Sequence, residues 1–335
     1  MERLPSITHI HLLFASNPCW PNVVLLNMPL QPSILKTIAY FDLFDYPVTA
    51  AETRFFLGLE AGADEVEEAL ENLVKERYLF RTGIFYSLKD DPRLVDRRLR
   101  GNRHAEELLQ IAERISGFLY QFPYVRGIGI SGSLSKNFAD EDADIDYFII
   151  TRANRLWIAR TIMHFFKKLS FLRGHQHWYC MNYYVDEEAL EIEEKNIFTA
   201  TELISLMPIR GNGGLVKFFN ANDWATSFLP QYAHRQREAP GNPRFSFFKR
   251  ALERLFDNRL GDWLDDFLCR LTSRRWLDKE QKGQLTRNGY KMSLLTGKHF
   301  SRPNPAMLQR RILTIYQHKL EEMEIKWEKL VSSES

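Results

Sequence analysis

The chain has 335 residues, of which 44% are hydrophobic and 26% are charged. This length predicts two or three domains, and the composition is typical of a globular protein rather than a disordered or membrane-spanning one. Lys and Arg number 45 against 43 Asp and Glu, so the net charge of +2 does not indicate a nucleic-acid or membrane partner. Cys19, Cys180 and Cys269 are far apart, which argues against a disulfide framework or a zinc site and favours a cytoplasmic location.

Residues 1–29 contain short apolar patches but no basic start, and Pro18 and Pro21 interrupt any continuous hydrophobic run. These features argue against a signal peptide. We predict a flexible N-terminal extension. A helical pattern follows shortly after Met28, so we also consider the hypothesis that translation begins there.

Residues 30–98 have the pattern of a small domain with three helices and a hairpin. Ser33 is the predicted cap of the first helix. Thr49, with Glu52 three residues later, predicts a capping box for the second. The third helix is predicted from Asp64 to Arg77, and a hairpin across residues 81–83 follows it. This order of elements resembles a winged helix.

The predicted third helix has a solvent face that is mainly Glu, which repels DNA phosphates. The sequence therefore favours a protein-binding or packing role for this winged-helix-like unit over a DNA-binding one. Lys75, Arg77 and Arg81 leave the nucleic-acid alternative open. The stretch from Asp90 to His104 is rich in Arg and is interpreted as the solvated face of a helix, or as a basic strip beside an active site.

The most informative stretch lies at residues 128–150, where two apolar runs flank a polar turn. The pattern predicts a strand, a Gly-Ser turn and a second strand. Gly132 lets a phosphate approach the backbone closely, and Ser133 can donate its hydroxyl and its N–H to that phosphate. Asp144 and Asp146 alternate along the second run, so they are expected on one face, where a divalent cation would relieve their repulsion. Oxygen ligands favour Mg²⁺ or Mn²⁺.

These residues resemble the signature of the polymerase-β-like nucleotidyltransferase superfamily, with Ile130-Ser131-Gly132-Ser133 followed by Asp144-Ile145-Asp146 and ten residues between Ser133 and Asp144. Lys136 stands where that family commonly has a basic residue. Asn137 stands where it often has Gly, and Asn tolerates a left-handed backbone. The resemblance implies a nucleotidyltransferase α/β (α+β) core at residues 99–234. It also implies an NTP as donor, a hydroxyl acceptor, and pyrophosphate as the leaving group.

The family's third carboxylate is expected on the next strand, predicted from Trp178 to Val185. Asn182 stands at its centre. Three alternatives stay open: Asn182 is a neutral third metal ligand, Asp186 or Glu187 substitutes for it, or the protein binds nucleotide without efficient turnover. The third alternative describes a degenerate protein that acts through protein or DNA contacts of its winged helix.

Residues 235–335 are predicted to be a helical C-terminal region, with apolar residues at helical period from Phe245 to Trp276 and from Pro305 to Leu330. Lys291, Lys298, His299 and Arg302 form a basic group in the sequence that either contacts a substrate or is ordinary surface charge.

Overall fold

A computed structural model describes residues 30–170, 178–235, 237–239, 247–284, 293–303 and 305–331. For a few residues inside these ranges, Asn182 among them, it describes the backbone only. The predicted extension at residues 1–29, with the proposed start at Met28, lies outside the described residues. The described residues form a mixed α/β protein with a three-stranded and a six-stranded sheet.

The N-terminal unit contains α1 (Leu30–Asp42), β1 (Val48–Thr49), α2 (Ala50–Phe55), α3 (Ala63–Lys75), β2 (Phe80–Thr82) and β3 (Phe85–Ser87), with strand order β1-β3-β2. The predicted capping box is confirmed: Thr49 Oγ1 accepts from the N–H of Glu52 at 3.2 Å, and Glu52 Oε2 accepts from the N–H of Thr49 at 2.9 Å. The predicted cap at Ser33 is wrong. Helix α1 begins at Leu30 because Pro32 is tolerated in a first turn, and Ser33 is buried inside the helix.

Helix α4 (Pro92–Leu119) is a single helix of 28 residues. Asp91 caps it by accepting a hydrogen bond from the N–H of Arg93 at 3.0 Å, and Pro92 suits the first helical position. The Arg-rich stretch is therefore the first half of this helix, and the predicted boundary at residue 98 falls inside it.

The rest of the described chain contains β4 (Val125–Ile130), β5 (Asp146–Thr151), α5 (Leu156–Ser170), β6 (Cys180–Asp186), α6 (Ile197–Ser205), β7 (Met207–Arg210), α7 (Asn212–Ala221), α8 (Phe247–Leu255), α9 (Arg259–Gln281), β8 (Leu294–Thr296), β9 (Phe300–Pro303) and α10 (Pro305–Val331). The six-stranded sheet has the order β7-β4-β5-β6-β9-β8. Strands β5 and β6 are parallel, and the other neighbours are antiparallel.

The C-terminal region was predicted to be helical, but it also supplies the hairpin β8–β9, which extends the sheet beyond β6. Strands of three or four residues are too short to show a period of two, so the sequence gives little sign of them. The helix predicted from Phe245 to Trp276 is two helices. Asn258 separates them and caps α9, accepting from the N–H groups of Leu260 and Gly261 at 3.0 and 3.1 Å.

The sheet is buried on both faces. Tyr147, Ile149 and Tyr184 pack against α4 and α5 on one face. Phe148, Ile150 and Val185 point to the other face and join a core with residues of α6, α7 and the N-terminal unit. None of the described helices is both long enough and apolar enough to cross a membrane.

The N-terminal unit is fastened to the segment that follows β4. The hydroxyl of Tyr46 donates to the backbone carbonyl of Lys136 at 2.7 Å. Arg97 pairs with Asp140 at 2.8 Å, and the guanidinium of Arg98 lies 3.6 Å from the ring centroid of Tyr46. Two of the arginines predicted as solvated or substrate-facing therefore hold the two parts of the protein together.

Candidate functional site

The turn after β4 brings together the two halves of the motif. The N–H of Ser131 donates to the carbonyl of Asp146 at 3.0 Å. Gly132 then adopts a positive φ of 71°, and a Cβ added there would lie 3.1 Å from Oδ2 of Asp146. A side chain at this position would be strained and would crowd the carboxylate. Glycine thus avoids both the strain and the crowding of Asp146, and its role of admitting a phosphate stays a prediction.

Asp146 is the first residue of β5 and its half-buried side chain lines a pocket. The pKa of this carboxyl is raised to about 6, mainly by burial and to a smaller extent by the negative charges of Asp144 and Glu202, against the lowering effects of a hydrogen bond with the Cys180 side chain and of the charge of Lys167. Asp144 is exposed and lies two residues before the strand begins. The predicted pair is therefore electrostatically coupled, although only Asp146 belongs to the strand.

The two carboxylates could hold a divalent cation, since their oxygens are hard ligands and burial disfavours the ionised form of Asp146 more than the charge of Lys167 favours it. The space left by Gly132 lies beside the same oxygen. Among the described residues, no group of three or more His, Cys, Asp or Glu is arranged to hold a metal ion. A cation at this position would therefore have Asp144 and Asp146 as its carboxylate ligands and would need further ligands from a substrate.

Strand register decides what lies beside Asp146 on the neighbouring strand. Asp146 is paired with Cys180, whereas Asn182 falls where the register shifts between Met181 and Tyr183. Only the backbone of Asn182 is described, so its predicted part in metal binding stays a prediction. The position directly opposite Asp146 is occupied by a thiol, whose pKa is raised by burial and by the charge of Asp146.

Asp186 and Glu187 do not supply a third acid beside Asp146, and that alternative is corrected. Asp186 pairs with Thr151 at the other end of β5, so about five strand residues, roughly 16 Å, separate it from Asp146. Its buried carboxylate accepts from the N–H groups of Asn154 and Glu188 at 2.8 and 2.9 Å. Glu187 lies 3.4 Å from Nζ of Lys217.

Lys136 ends a short 3₁₀ helix at residues 134–136, and Asn137 follows with a φ of 53°, the left-handed backbone that was expected there. The ammonium of Lys136 donates to Glu202 Oε1 at 2.8 Å and to the carbonyl of Gly132 at 3.3 Å. The predicted phosphate ligand thus lies at the site, where its charge is matched by a carboxylate from α6. Glu202 was not predicted, because the contact joins residues 66 positions apart.

A pocket of about 360 Å³ extends from Gly132 and Asp146 across the sheet. Glu202 and the aromatic side chains of Phe148, Tyr183 and Phe218 contribute to its lining. Its far end is formed by Arg302, Glu194 and other residues that the sequence did not single out together.

The basic group of the C-terminal region does not form one surface. Arg302 lines the pocket, but Lys298 lies 3.8 Å from Asp266, and His299 Nδ1 lies 2.9 Å from Asp186 Oδ2. Lys291 lies outside the described residues. His299 and Arg302 are three residues apart, so the alternation of a strand would place them on opposite faces. Their different partners separate them further.

Comparison with known proteins leaves the site to be interpreted on its own geometry. No family model, curated protein or solved structure matches the chain.

Proposed function

We propose that the chain is a nucleotidyltransferase, which moves a nucleoside monophosphate from an NTP to a hydroxyl acceptor on a small molecule, a protein or RNA. The observation that carries this proposal is the convergence of Gly132 and Asp146 at one end of a large pocket. A glycine turn that lets a phosphate approach the backbone, beside carboxylates that can hold a cation, suits a metal-bound triphosphate. We further propose that residues 99–234 contain a nucleotidyltransferase-like core.

The residues of the chain have separate roles in this proposal. The backbone of Gly132 and the hydroxyl of Ser133 bind the phosphates, and Lys136 transfers its hydrogen bond from Glu202 to a phosphate oxygen. Asp144 and Asp146 would hold Mg²⁺ or Mn²⁺. When bound, this ion supplies positive charge that stabilises the transferring phosphoryl group.

The transfer itself is a substitution at the α-phosphorus. The acceptor oxygen forms a bond to phosphorus, the bond to the bridging oxygen breaks, and pyrophosphate leaves with that electron pair. Glu202, once it no longer binds Lys136, is the carboxylate that accepts the hydroxyl proton. Its position in the lining of the same pocket as Asp146 supports this role.

The experiment is incubation with each α-labelled NTP, Mg²⁺ or Mn²⁺, and cell lysate as the acceptor source. We expect label transfer by the wild type and by Asp142→Asn, a matched change in the exposed loop. We expect Asp146→Asn to lose about 100-fold or more, since several kcal/mol of charge stabilisation are removed. Equal transfer by Asp146→Asn would contradict the proposal.

The second candidate is a degenerate protein that binds nucleotide without turnover. It is favoured by the thiol of Cys180, which lies opposite Asp146 on the strand that was expected to carry a third acid at Asn182. Metal-dependent NTP binding with no transfer of label would support this candidate over the first.

We also propose that residues 30–87 form a winged-helix unit that contacts a protein partner. The element order and the strand order β1-β3-β2 support it. The exposed acids of α3, which are Asp64, Glu65, Glu67 and Glu68, favour a protein over DNA. Tight binding of duplex DNA at low salt would contradict this choice. The described cysteines, Cys180 and Cys269, are free thiols, which supports the proposed cytoplasmic location.

A further inference from the structure

The end of the pocket opposite Asp146 carries a charged pair that the proposed chemistry does not use. Arg302 on β9 donates from Nη1 and Nη2 to the two carboxylate oxygens of Glu194 at 2.6 and 2.7 Å. Nη1 also donates to the hydroxyl of Tyr183 at 3.3 Å. Arg302 is buried, yet both members of the pair line the pocket. They are therefore accessible to a bound molecule rather than sealed in the core.

Aromatic rings form the wall between the two ends. The ring centroids of Phe148 and Tyr183 are 5.0 Å apart, and those of Phe148 and Phe218 are 4.6 Å apart. Ile192 and Leu308 add apolar surface to the same pocket. Such a wall suits a flat ring, because aromatic side chains stack on the faces of nucleobases with little dependence on sequence.

The distance between the two ends of the pocket matches the distance between the phosphates and the base of a nucleotide. Arg302 lies two strands away from β5, with β6 between, and Tyr183 is paired with Phe148, two residues beyond Asp146. Two strand spacings and two residue steps place the backbones of Arg302 and Asp146 about 12 Å apart. A nucleotide whose phosphates lie at Gly132 can thus place its base at Arg302 and Glu194.

We infer that this end of the pocket is a base-recognition subsite that selects a base with both an amino donor and a carbonyl acceptor. Each carboxylate oxygen of Glu194 has a further lone pair for an amino N–H, and Arg302 uses three of its N–H groups among the described residues, out of five. Guanine and cytosine carry both groups. Adenine has no carbonyl and uracil no amino group, so each leaves one member of the pair unmatched.

This inference rests on the proposed function, but its test measures binding rather than transfer. The affinities of GTP, CTP, ATP and UTP for the full-length wild type are measured by calorimetry with Mg²⁺. We expect GTP, CTP or both to bind at least about tenfold more tightly than ATP and UTP, because ATP and UTP each lose a hydrogen bond to a charged group. The GTP and CTP measurements identify whether the base is a purine or a pyrimidine.

Glu194→Gln replaces a carboxylate oxygen with an amide donor, and we expect it to reduce the preference to less than about threefold. Glu188→Gln, a change at an exposed residue outside the pocket lining, is the matched control and keeps the preference. NTP binding with no preference for GTP or CTP would overturn the subsite and leave the proposed function standing. Absence of binding by any NTP would overturn both. The wild-type comparison needs no variant, so it decides the matter even if Glu194→Gln fails to fold.

Discussion

Asp146 and Asp186 occupy opposite ends of the parallel strands β5 and β6, and their surroundings differ. Asp186 is fully buried and is matched by two backbone N–H groups and by His299. Asp146 lies beside a pocket, hydrogen-bonds with the Cys180 side chain, and has other carboxylates as electrostatic neighbours. One end of the strand pair therefore surrounds its carboxylate with hydrogen-bond donors, while the carboxyl at the other end has a pKa that is raised mainly by burial.

This difference separates a carboxylate that is matched by hydrogen bonds from one to which we assign a function in our proposal. A buried charge with complete hydrogen bonds stabilises the fold. A carboxyl whose pKa is raised by burial and by like charges lowers the free energy of unfolding when it ionises, and a bound ligand can reverse this loss. Substitutions at the two aspartates should accordingly have opposite effects on the free energy of unfolding.

The largest effect is expected at Asp186. Asp186→Ala removes three hydrogen bonds and leaves the N–H groups of Asn154 and Glu188 without that acceptor. We expect a loss of about 3 kcal/mol in the free energy of unfolding, measured by urea denaturation. Glu188→Ala is the control and should change it by less than about 0.5 kcal/mol. A loss at Asp186 no larger than that of the control would remove the structural half of the comparison.

A buried lysine tests what hydrogen bonds to backbone carbonyls contribute at a buried titratable group, where Glu253 also acts through its charge. Lys249 Nζ donates to the carbonyls of Tyr120 and Val125 at 2.7 and 2.8 Å, and its side chain is 1% exposed by residue. We expect Lys249→Met to cost about 2 kcal/mol at pH 8, because two buried carbonyls lose their donor. Lys282→Met, on the exposed end of α9, is the control.

The cost of Lys249→Met should also depend on pH. Burial, with the charge of Arg126 as a smaller cause, lowers the pKa of Lys249 from 10.5 to about 7. Between these values the unfolded chain binds a proton that the folded chain does not, so the wild type gains stability as pH rises through this window. The methionine variant lacks this gain, and its deficit should grow from pH 6 to pH 9. A deficit that is constant over this range would show that Lys249 keeps its proton in the fold.

The smallest effect, and one of opposite sign, is expected at Asp146. Asp146→Asn removes a disfavoured charge from the pocket and keeps the shape of the side chain. We expect the metal-free protein to gain about 1 kcal/mol in the free energy of unfolding at pH 8, a gain that Asp142→Asn should not reproduce. A loss of stability at Asp146 comparable to that at Asp186 would mean that the two ends of the strand pair are alike.

Local signals predicted those parts that depend on neighbours in sequence. The capping box at Thr49 and the strand–turn–strand around Gly132 both follow from short patterns, and both are present. Asn137 in a left-handed conformation belongs with them. The prediction of a helix cap at Ser33 was wrong because α1 starts one turn earlier.

The rest depends on contacts between distant segments. No short pattern places Glu202 on Lys136, Cys180 opposite Asp146, or Arg302 against Glu194, since each pair is fixed by sheet register and helix packing. The hairpin β8–β9 has too few residues to show its period, yet it carries one end of the pocket. The end of the candidate site at Gly132 and Asp146 was thus predicted from the sequence, and the end at Arg302 and Glu194 was not.

The bond from Tyr46 to the carbonyl of Lys136 joins residues 90 positions apart. It makes the N-terminal unit part of the support for the turn that follows β4, rather than an appendage on a finished domain. Recombination that exchanged this unit for another would also remove this contact with the backbone of Lys136. The two segments therefore have to change in step during evolution, and a chimera that joins either to a foreign counterpart would need a matching substitution across the boundary.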